Sequence, residues 1–369
     1  MADPWYVVEN VAEIDSPALL VYPDRAEENI RRMIAYAGGV ERLRPHVKTH
    51  KMSEIIELQV AAGIKKFKCA TIAEAEMTAA AGGTDIFLSY QVVGPKVQRF
   101  AALAKAYPHV QFSCLQDDEQ ALRAFSAGLQ AVGATAQVVL DMDNGFGRTG
   151  IAPGPKAAAL YRLANELPAI SPGGLHVYDG QFRQHDLEER CAASDAGFEP
   201  VRQFRQQLEA EGLPVPRVVA GGTPTFPCHA RRPDVECSPG TCVFWDASYA
   251  DKFRDLEFLN AAVLLTRVIS KPGEGRLSLD LGYKAVSPDN PDPRVVLLGL
   301  NDAKALVHNE EHLTISTSQA GRYQVGDVLY GIPFHICPTV ALHQYAWVIE
   351  NGRATKRWNV IARDRCINY

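Results

Sequence analysis

Between Leu43 and Cys237, short β-rich runs alternate with helix-patterned ones, and this alternation constrains the fold more than any other feature of the chain. The strand candidates are Leu43–Lys48, Phe67–Ala70, Ile86–Ser89, Val110–Cys114, Ala136–Leu140, Gly174–Val177, Arg217–Ala220 and a weak eighth at Val235–Cys237. Helical spacing falls between them at Met52–Ala62, Ile72–Ala81, Lys96–Ala106, Asp118–Ala127, Lys156–Glu166 and Gly197–Glu211. Strand, helix and strand in succession require a parallel sheet with crossover helices. Eight such strands predict an α/β fold, a (β/α)8 TIM-like barrel. A doubly wound open sheet is the alternative, but no G-x-G-x-x-G follows an early strand to support it.

Beyond about residue 250 the pattern changes. Ala262–Ser270, Arg276–Asp280, Arg294–Leu298, His312–Ser316, Val328–Ile332, Thr339–Ile349 and Arg357–Ala362 are short, β-rich and separated by turns such as Pro272-Gly273 and Asn351-Gly352. The sequence therefore predicts a barrel over residues 14–250 and a mostly antiparallel β domain over 251–369, which residues 1–13 are free to join. A chain of 369 residues accommodates two domains comfortably.

Charge excludes some partners. The formal net charge is -5 and no Lys/Arg block stands out, so neither nucleic acid nor an anionic membrane is expected. No apolar stretch approaches the roughly 18 residues of a membrane span. The opening Met1-Ala2-Asp3-Pro4-Trp5 lacks a charged segment followed by an apolar run, which makes the cytoplasm the expected location. The eight cysteines are scattered without a C-x-x-C pair. They are expected to be small buried hydrophobes rather than a disulfide framework or a four-cysteine zinc site, Cys337 excepted.

In a barrel the chemistry collects at the C-terminal strand ends. The first strand candidate runs into Arg44-Pro45-His46-Val47-Lys48-Thr49-His50-Lys51. A lysine among other cations is a candidate for a lowered pKa, and a neutral amine can form a Schiff base with a carbonyl. The fifth runs into Asp141–Gly150, which contains Arg148; the sixth carries His176-Val177-Tyr178-Asp179, with His185 soon after. The seventh ends in Gly221-Gly222-Thr223-Pro224-Thr225, where barrels often bind phosphate through backbone N–H groups and a hydroxyl. Each feature has a plainer reading: a solvated basic turn, a surface arginine, a core tyrosine, an ordinary glycine turn. Together, a lysine on strand one and a phosphate loop after strand seven point to pyridoxal 5'-phosphate. In the second domain, His335 and Cys337 of Pro333–Thr339 would share one face of a strand, as two ligands of one divalent ion require. H-x-C is also a common accident. Two protein ligands would leave positions open for water and substrate.

The runs RPHVKTHK, NGFGRTG, HVYDGQ, AGGTPT and HICPT, in that order, resemble the D-threonine aldolase and D-serine dehydratase family, fold-type III pyridoxal-phosphate enzymes related to the alanine racemase barrel. The resemblance runs from about Ile14 to the C-terminus. It implies that Lys48 is the Schiff-base lysine, that Gly221, Gly222 and Thr223 hold the phosphate, and that Arg148 and Tyr178 lie near the ring. It also implies that His335 and Cys337 bind a divalent metal ion (Mn, Zn, Co or Mg) and that His50 and His185 are candidate second bases. A homodimer acting on a small D-3-hydroxy amino acid is expected. The wider motifs, including Val360–Arg365, are more similar to the aldolase branch, which cleaves such substrates to glycine and an aldehyde by a retro-aldol reaction. The His-Cys pair looks like the dehydratase branch, which forms a 2-oxo acid and ammonia from D-serine or 3-hydroxy-D-aspartate. An amino-acid racemase and a pyridoxal-phosphate carrier without turnover are further alternatives. Carriers usually lack a second domain, which counts against the last. Cys242 stands where the family pattern has tyrosine, so that position receives no cofactor role.

Overall fold

The computed structural model describes residues 4–369; Met1–Asp3, part of the opening segment used above, lie outside it. The chain begins with strand β1 (Ala18–Val21) and helix α1 (Pro23–Ala37). Next come α2 (Ser53–Ala61), β2 (Lys66–Cys69), α3 (Ile72–Ala80), β3 (Asp85–Gln91), α4 (Pro95–Ala106), β4 (Gln111–Gln116) and α5 (Glu119–Val132). The series continues with β5 (Ala136–Met142), α6 (Pro155–Glu166), β6 (Ile170–Val177), α7 (Leu187–Ala210), β7 (Val218–Ala220), α8 (Phe226–Ala230) and β8 (Glu236–Cys237). Contacts group the chain into two units: residues up to Ile30 with Thr49–Met52 and Thr241–Arg363, and Arg31–Lys48 with Ser53–Gly240 and Asp364–Tyr369.

In the second of these, β2 to β8 form a seven-stranded sheet in sequence order, every pair parallel. Residues 43–46 close it. Leu43 bridges Cys237 of β8 on one side, and His46 bridges Lys68 of β2 on the other. The expected first strand, Leu43–Lys48, is thus reduced to a stave of isolated bridges, because Pro45 has no N–H to give a ladder. Its carbonyl still accepts from Lys68 N–H at 2.9 Å. The closed barrel, rather than the open doubly wound sheet, is the architecture.

Local chemistry explains the helices. Thr71 caps α3, its hydroxyl accepting from Glu74 N–H at 3.1 Å. α5 is capped by Asp118 and stopped by Gly133 in the left-handed region, and it buries Leu122, Phe125 and Leu129. Helix α7 is longer than the expected Gly197–Glu211. It starts at Leu187, where Asp186 accepts from Glu189 N–H, and it contains Pro200. Inside the barrel, Phe87, Leu115, Val139 and Val219 form an apolar plug. A bulge between Val138 and Val139 opposite Gly173-Gly174 sets the register that places His176 directly across from Asp141. Gly174 is required there: at φ +106, an added Cβ would lie 2.0 Å from the Arg217 carbonyl oxygen.

The other unit adds α9 (Ala247–Lys252), β9 (Ala262–Ser270), β10 (Arg276–Leu279), β11 (Val295–Leu297), β12 (Lys304–His308) and β13 (Leu313–Ser316). It ends with β14 (Val328–Pro333), α10 (Ile336–Leu342), β15 (Tyr345–Glu350) and β16 (Arg353–Asn359). These strands and β1 make a nine-stranded sheet, antiparallel except where β1 runs parallel to β15. Its core includes Ile14, Leu20, Val263, Leu265, Ile332 and Ile349. Two expectations fail here. The predicted strand Thr339–Ile349 begins as helix α10, and β12 was not foreseen, because its alternation is masked by exposed Leu306 and Val307. No helix among the described residues is long and apolar enough to cross a membrane.

Candidate functional site

The barrel's C-terminal end carries a buried polar chain on top of the apolar plug. Lys68 of β2, 3% exposed, places Nζ 2.8 Å from His176 Nε2 and donates to Ser238 Oγ at 3.0 Å. His176 Nδ1 is 2.7 Å from Asp141 Oδ1, and Asp141 Oδ2 accepts from the Thr149 hydroxyl at 2.8 Å. The His176 ring stands edge-on against Phe87, centroids 5.4 Å apart. This apolar floor shapes the ionisation. Burial, reinforced by the cations Lys48 and Arg148, pulls the Lys68 amine down to about 7 against the opposing pull of Asp141 and Asp179. Burial and the Lys68 charge likewise lower His176 to about 4, keeping it neutral. Its Nδ1–H is then committed to Asp141, and Nε2 accepts from Lys68. Asp141 stays ionised: burial opposes this, but His176, Thr149 and Lys68 outweigh it.

A second buried group underpins the glycine loop. Asp179 accepts from Thr225 Oγ1 at 2.7 Å and Ser194 Oγ at 3.2 Å, and its Oδ2 lies 2.8 Å from His229 Nε2. These bonds hold its pKa down despite burial. Gly221 follows β7 at φ +73, and a Cβ there would strike His229 and Thr225. A Cβ on Gly222 would come within 3.2 Å of the Tyr178 ring. Thr223 is buried and its hydroxyl accepts from Gly240 N–H at 3.1 Å. Above Tyr178 sits Arg148, its guanidinium carbon 4.3 Å from the ring centroid. Lys48 follows as an exposed residue in a 3-10 turn, Val47–Thr49, not at a strand end. Arg148, Tyr178, Gly221, Gly222 and Thr223 are therefore gathered around this end, with Lys48 close enough to repel Lys68. His185 is not drawn in; it is exposed ahead of α7.

The expected set of free cysteines needs one correction. Cys191 of α7 and Cys228 of α8 are joined in a disulfide, their Cα atoms 5.0 Å apart. A separation of 37 residues without a motif gave no sign of this.

In the β unit, His335 and Cys337 meet, but not by strand alternation. His335 is the N-cap of α10, and the first helical turn brings Cys337 into hydrogen-bonding range of its ring. Asp289 Oδ2 lies 2.5 Å from His335 Nδ1, and the Ser287 hydroxyl in turn donates to Asp289 Oδ1 at 2.7 Å. Burial disfavours the charged imidazole, yet Cys337 and Asp289 prevail and raise it to about 9. The Cys337 sulfur is 3.1 Å from Thr49 Oγ1 and 3.6 Å from Thr241 Oγ1. An imidazole oriented by a carboxylate beside a thiol, with hydroxyls adjacent, is a donor set suited to a borderline divalent cation. Among the described residues no cluster of three or more His, Cys, Asp or Glu side chains is placed to hold one, so the pair stands alone. His50, 1% exposed, is held below its usual range, at about 3, mainly by burial. Its Nδ1 lies 3.2 Å from both the Met52 carbonyl and N–H, and Nε2 has no hydrogen-bond partner among the described residues.

A parallel barrel with a lysine on the turn after its closing stave, a glycine cradle after the seventh strand and a following antiparallel sheet defines the alanine racemase-like class. Comparison with known families agrees: the chain matches the alanine racemase N-terminal domain over residues 21–247 and a putative serine dehydratase domain over residues 261–349. The chain belongs to this family of fold-type III pyridoxal-phosphate enzymes. It is 30% identical over 359 residues to D-threonine aldolase from Arthrobacter sp., covering 96% of this chain and 94% of the relative. It is also 30% identical over 368 residues to 3-hydroxy-D-aspartate aldolase from Paracoccus denitrificans, covering 96% and 93%. D-threo-3-hydroxyaspartate dehydratase from Delftia sp. is 27% identical over 360 residues, covering 90% and 93%. Among solved structures, D-threonine aldolase from Filomicrobium marinum superposes with a TM-score of 0.89 at 27% identity, over 98% of this chain and 99% of that one.

The sequence motifs named Lys48, Arg148, Tyr178 and the glycine loop as candidates, but they did not single out the buried lysine on β2. Lys68, Ser238, Asp179 and Asp289 received no role. One signal was available for Lys68: it sits two residues from Lys66 in a four-residue buried strand, where a polar side chain facing inward needs a reason.

Proposed function

We propose that the protein is a pyridoxal-phosphate-dependent carbon–carbon lyase that cleaves D-3-hydroxy amino acids of the D-threonine type to glycine and an aldehyde, assisted by a divalent metal ion. One observation carries the reading: a cradle of Gly221 and Gly222 beneath the Tyr178 ring, beside a barrel end rich in cations, in a chain similar over its length to aldolases of such substrates. Lys48 would hold the cofactor through its amine, Gly221, Gly222 and Thr223 its phosphate, and Arg148 with Tyr178 its ring. When bound, pyridoxal phosphate supplies an electron sink for the pair left at Cα when the Cα–Cβ bond breaks. His335 and Cys337 would hold the metal ion, a Lewis acid for the substrate's β-oxygen.

The chain's own contribution is to orient and to move protons. Arg148 is braced on Tyr178, so its guanidinium can steady an anionic oxygen. A base must take the β-hydroxyl proton, and its pKa should lie near the working pH. His50, buried and held near 3, fits that poorly. His185, the other expected base, is exposed in the loop ahead of α7 and is not among the residues gathered at the barrel end. Dehydration is the second reading, favoured by the thiol at Cys337 and by the likeness to a dehydratase. A product assay with D-threonine, pyridoxal phosphate and Mn2+ decides between them. Glycine with acetaldehyde is expected; 2-oxobutanoate with ammonia would overturn the aldolase reading in favour of the dehydratase.

A further inference from the structure

Lys68 is the buried charge for which the proposed chemistry has no use. Its two direct partners, His176 Nε2 and Ser238 Oγ, are both neutral, and no carboxylate among the described residues touches it. The charged groups acting on it are the cations Lys48 and Arg148 and the anions Asp141 and Asp179. Both anions are already engaged, Asp141 by His176 and Thr149, Asp179 by Thr225, Ser194 and His229. An ammonium group away from water with only neutral acceptors is costly, and an anion arriving nearby would relieve that cost. The connections run toward the ligand end. Ser238, which accepts from Lys68, itself donates to the Gly221 carbonyl at 2.9 Å, in the glycine cradle. Lys68 Nζ also lies 6.0 Å from the centroid of the Tyr178 ring on which Arg148 rests.

We propose that Lys68 is the buried counter-charge for an anionic group of the incoming cofactor, so that loading the site fixes a proton on this amine. This rests on the pyridoxal-phosphate reading above. The anion is either the phosphate in the cradle or the phenolate of the ring, and both present the same chemistry to an ammonium. Lys68 is near half protonation at neutral pH, because its amine is pulled down to about 7. A bound anion raises that value and draws a proton from solution. Lys68 does not itself reach the reacting bond in this account; it is a positioning residue that matches the charge of the site to its occupant.

The test is calorimetric titration of the apoprotein with pyridoxal phosphate in buffers of different ionisation enthalpy, which counts protons taken up. Relative to Lys68→Met, the wild type should take up about 0.1 proton more at pH 6, about 0.5 at pH 7 and about 0.9 at pH 8. Lys68→Arg, charged at every pH, should bind the cofactor without this pH-dependent excess. Inorganic phosphate alone reproduces the uptake if the phosphate is the source, and pyridoxal alone reproduces it if the phenolate is. Equal uptake by wild type and Lys68→Met across this range, with borohydride reduction still fixing the cofactor on Lys48, overturns this inference and leaves the enzyme reading standing. Failure of the wild type to bind pyridoxal phosphate at all overturns both.

Discussion

The chain segments of β2 and β8 flank the same closing stave, and their side chains meet twice, two residues apart, with opposite outcomes. At the N-terminal end Lys66 pairs with Glu236 at 2.8 Å; at the C-terminal end Lys68 meets only the Ser238 hydroxyl. The lower end is a network. Arg44, fully buried, binds Asp85 at 2.8 Å and Glu236 at 2.7 Å, and Arg217 lies 3.6 Å from Asp85. Burial would raise both carboxylates, but the arginines hold them below their usual range. The upper end has a lysine on the same strand β2 without that closure. Where charge is satisfied internally, a site can only be structural. Where a buried cation has neutral neighbours, the missing partner is expected from outside.

Two substitutions should separate the ends most sharply. Lys48→Ala removes the amine proposed to hold the cofactor, and turnover should fall by about 10³-fold or more. Because Lys48 is exposed on a turn, its urea midpoint should scarcely move. Arg44→Met does the reverse. It strands Asp85 and Glu236 without their main counter-charge, a loss of about 3–5 kcal/mol for a broken buried pair. Denaturant unfolding of the two apoproteins, with cofactor absorbance on each folded variant, reads both effects. Unchanged stability in Arg44→Met would mean that the lower network is not the closure described here.

How much of this was legible in the sequence follows the same division. The barrel was readable because alternating apolar strands and capped helices, such as Thr71–Ala80 and Asp118–Gly133, are local signals. Lys48, the glycine loop, Arg148 and Tyr178 stood out as candidates because they lie on loops, where polar motifs are conspicuous. Lys68, His176 and Asp141 were not, since their meaning depends on register. Only the bulge at Gly173-Gly174 sets His176 opposite Asp141, and only barrel closure brings Ser238 to Lys68. The His335/Cys337 pair was found for the wrong geometric reason. A helix N-terminus brings together residues two apart as a strand face does, and sequence spacing does not distinguish them.

Acid–base behaviour offers a second contrast. For Lys68 the folded pKa, about 7, lies below the unfolded value near 10.5, so between them the unfolded chain binds more protons. Apoprotein stability should therefore rise with pH from about 7 to 9.5, by at most about 1.4 kcal/mol per pH unit. Lys68→Met should flatten that limb alone. At the lower end the titrating groups are carboxylates. The folded pKa values of Asp85 and Glu236 are depressed, so their stabilisation is present above about pH 4 and is lost as pH falls through the folded values. Glu236→Gln should weaken the acid limb and leave the alkaline one intact. Urea midpoints measured across pH would show whether the limbs belong to different ends; a flattened alkaline limb in Glu236→Gln would join them.

The smallest expected effect tests whether the lower end is a network or a set of pairs. Lys66 is the most exposed of the residues that touch Glu236, with a quarter of its side chain accessible, and it also donates to the Glu41 carbonyl at 2.7 Å. If Arg44 alone satisfies Glu236, Lys66→Met removes a partly solvated ion pair and should cost about 1 kcal/mol or less. If the three groups share their charge, the loss should instead depend on Arg44. A double-mutant cycle of Lys66→Met with Arg44→Met separates these cases. Additive losses make Lys66 an accessory on the rim. A coupling above about 0.5 kcal/mol makes the lower end one unit, and it sharpens the contrast with Lys68, whose partner must come from solution.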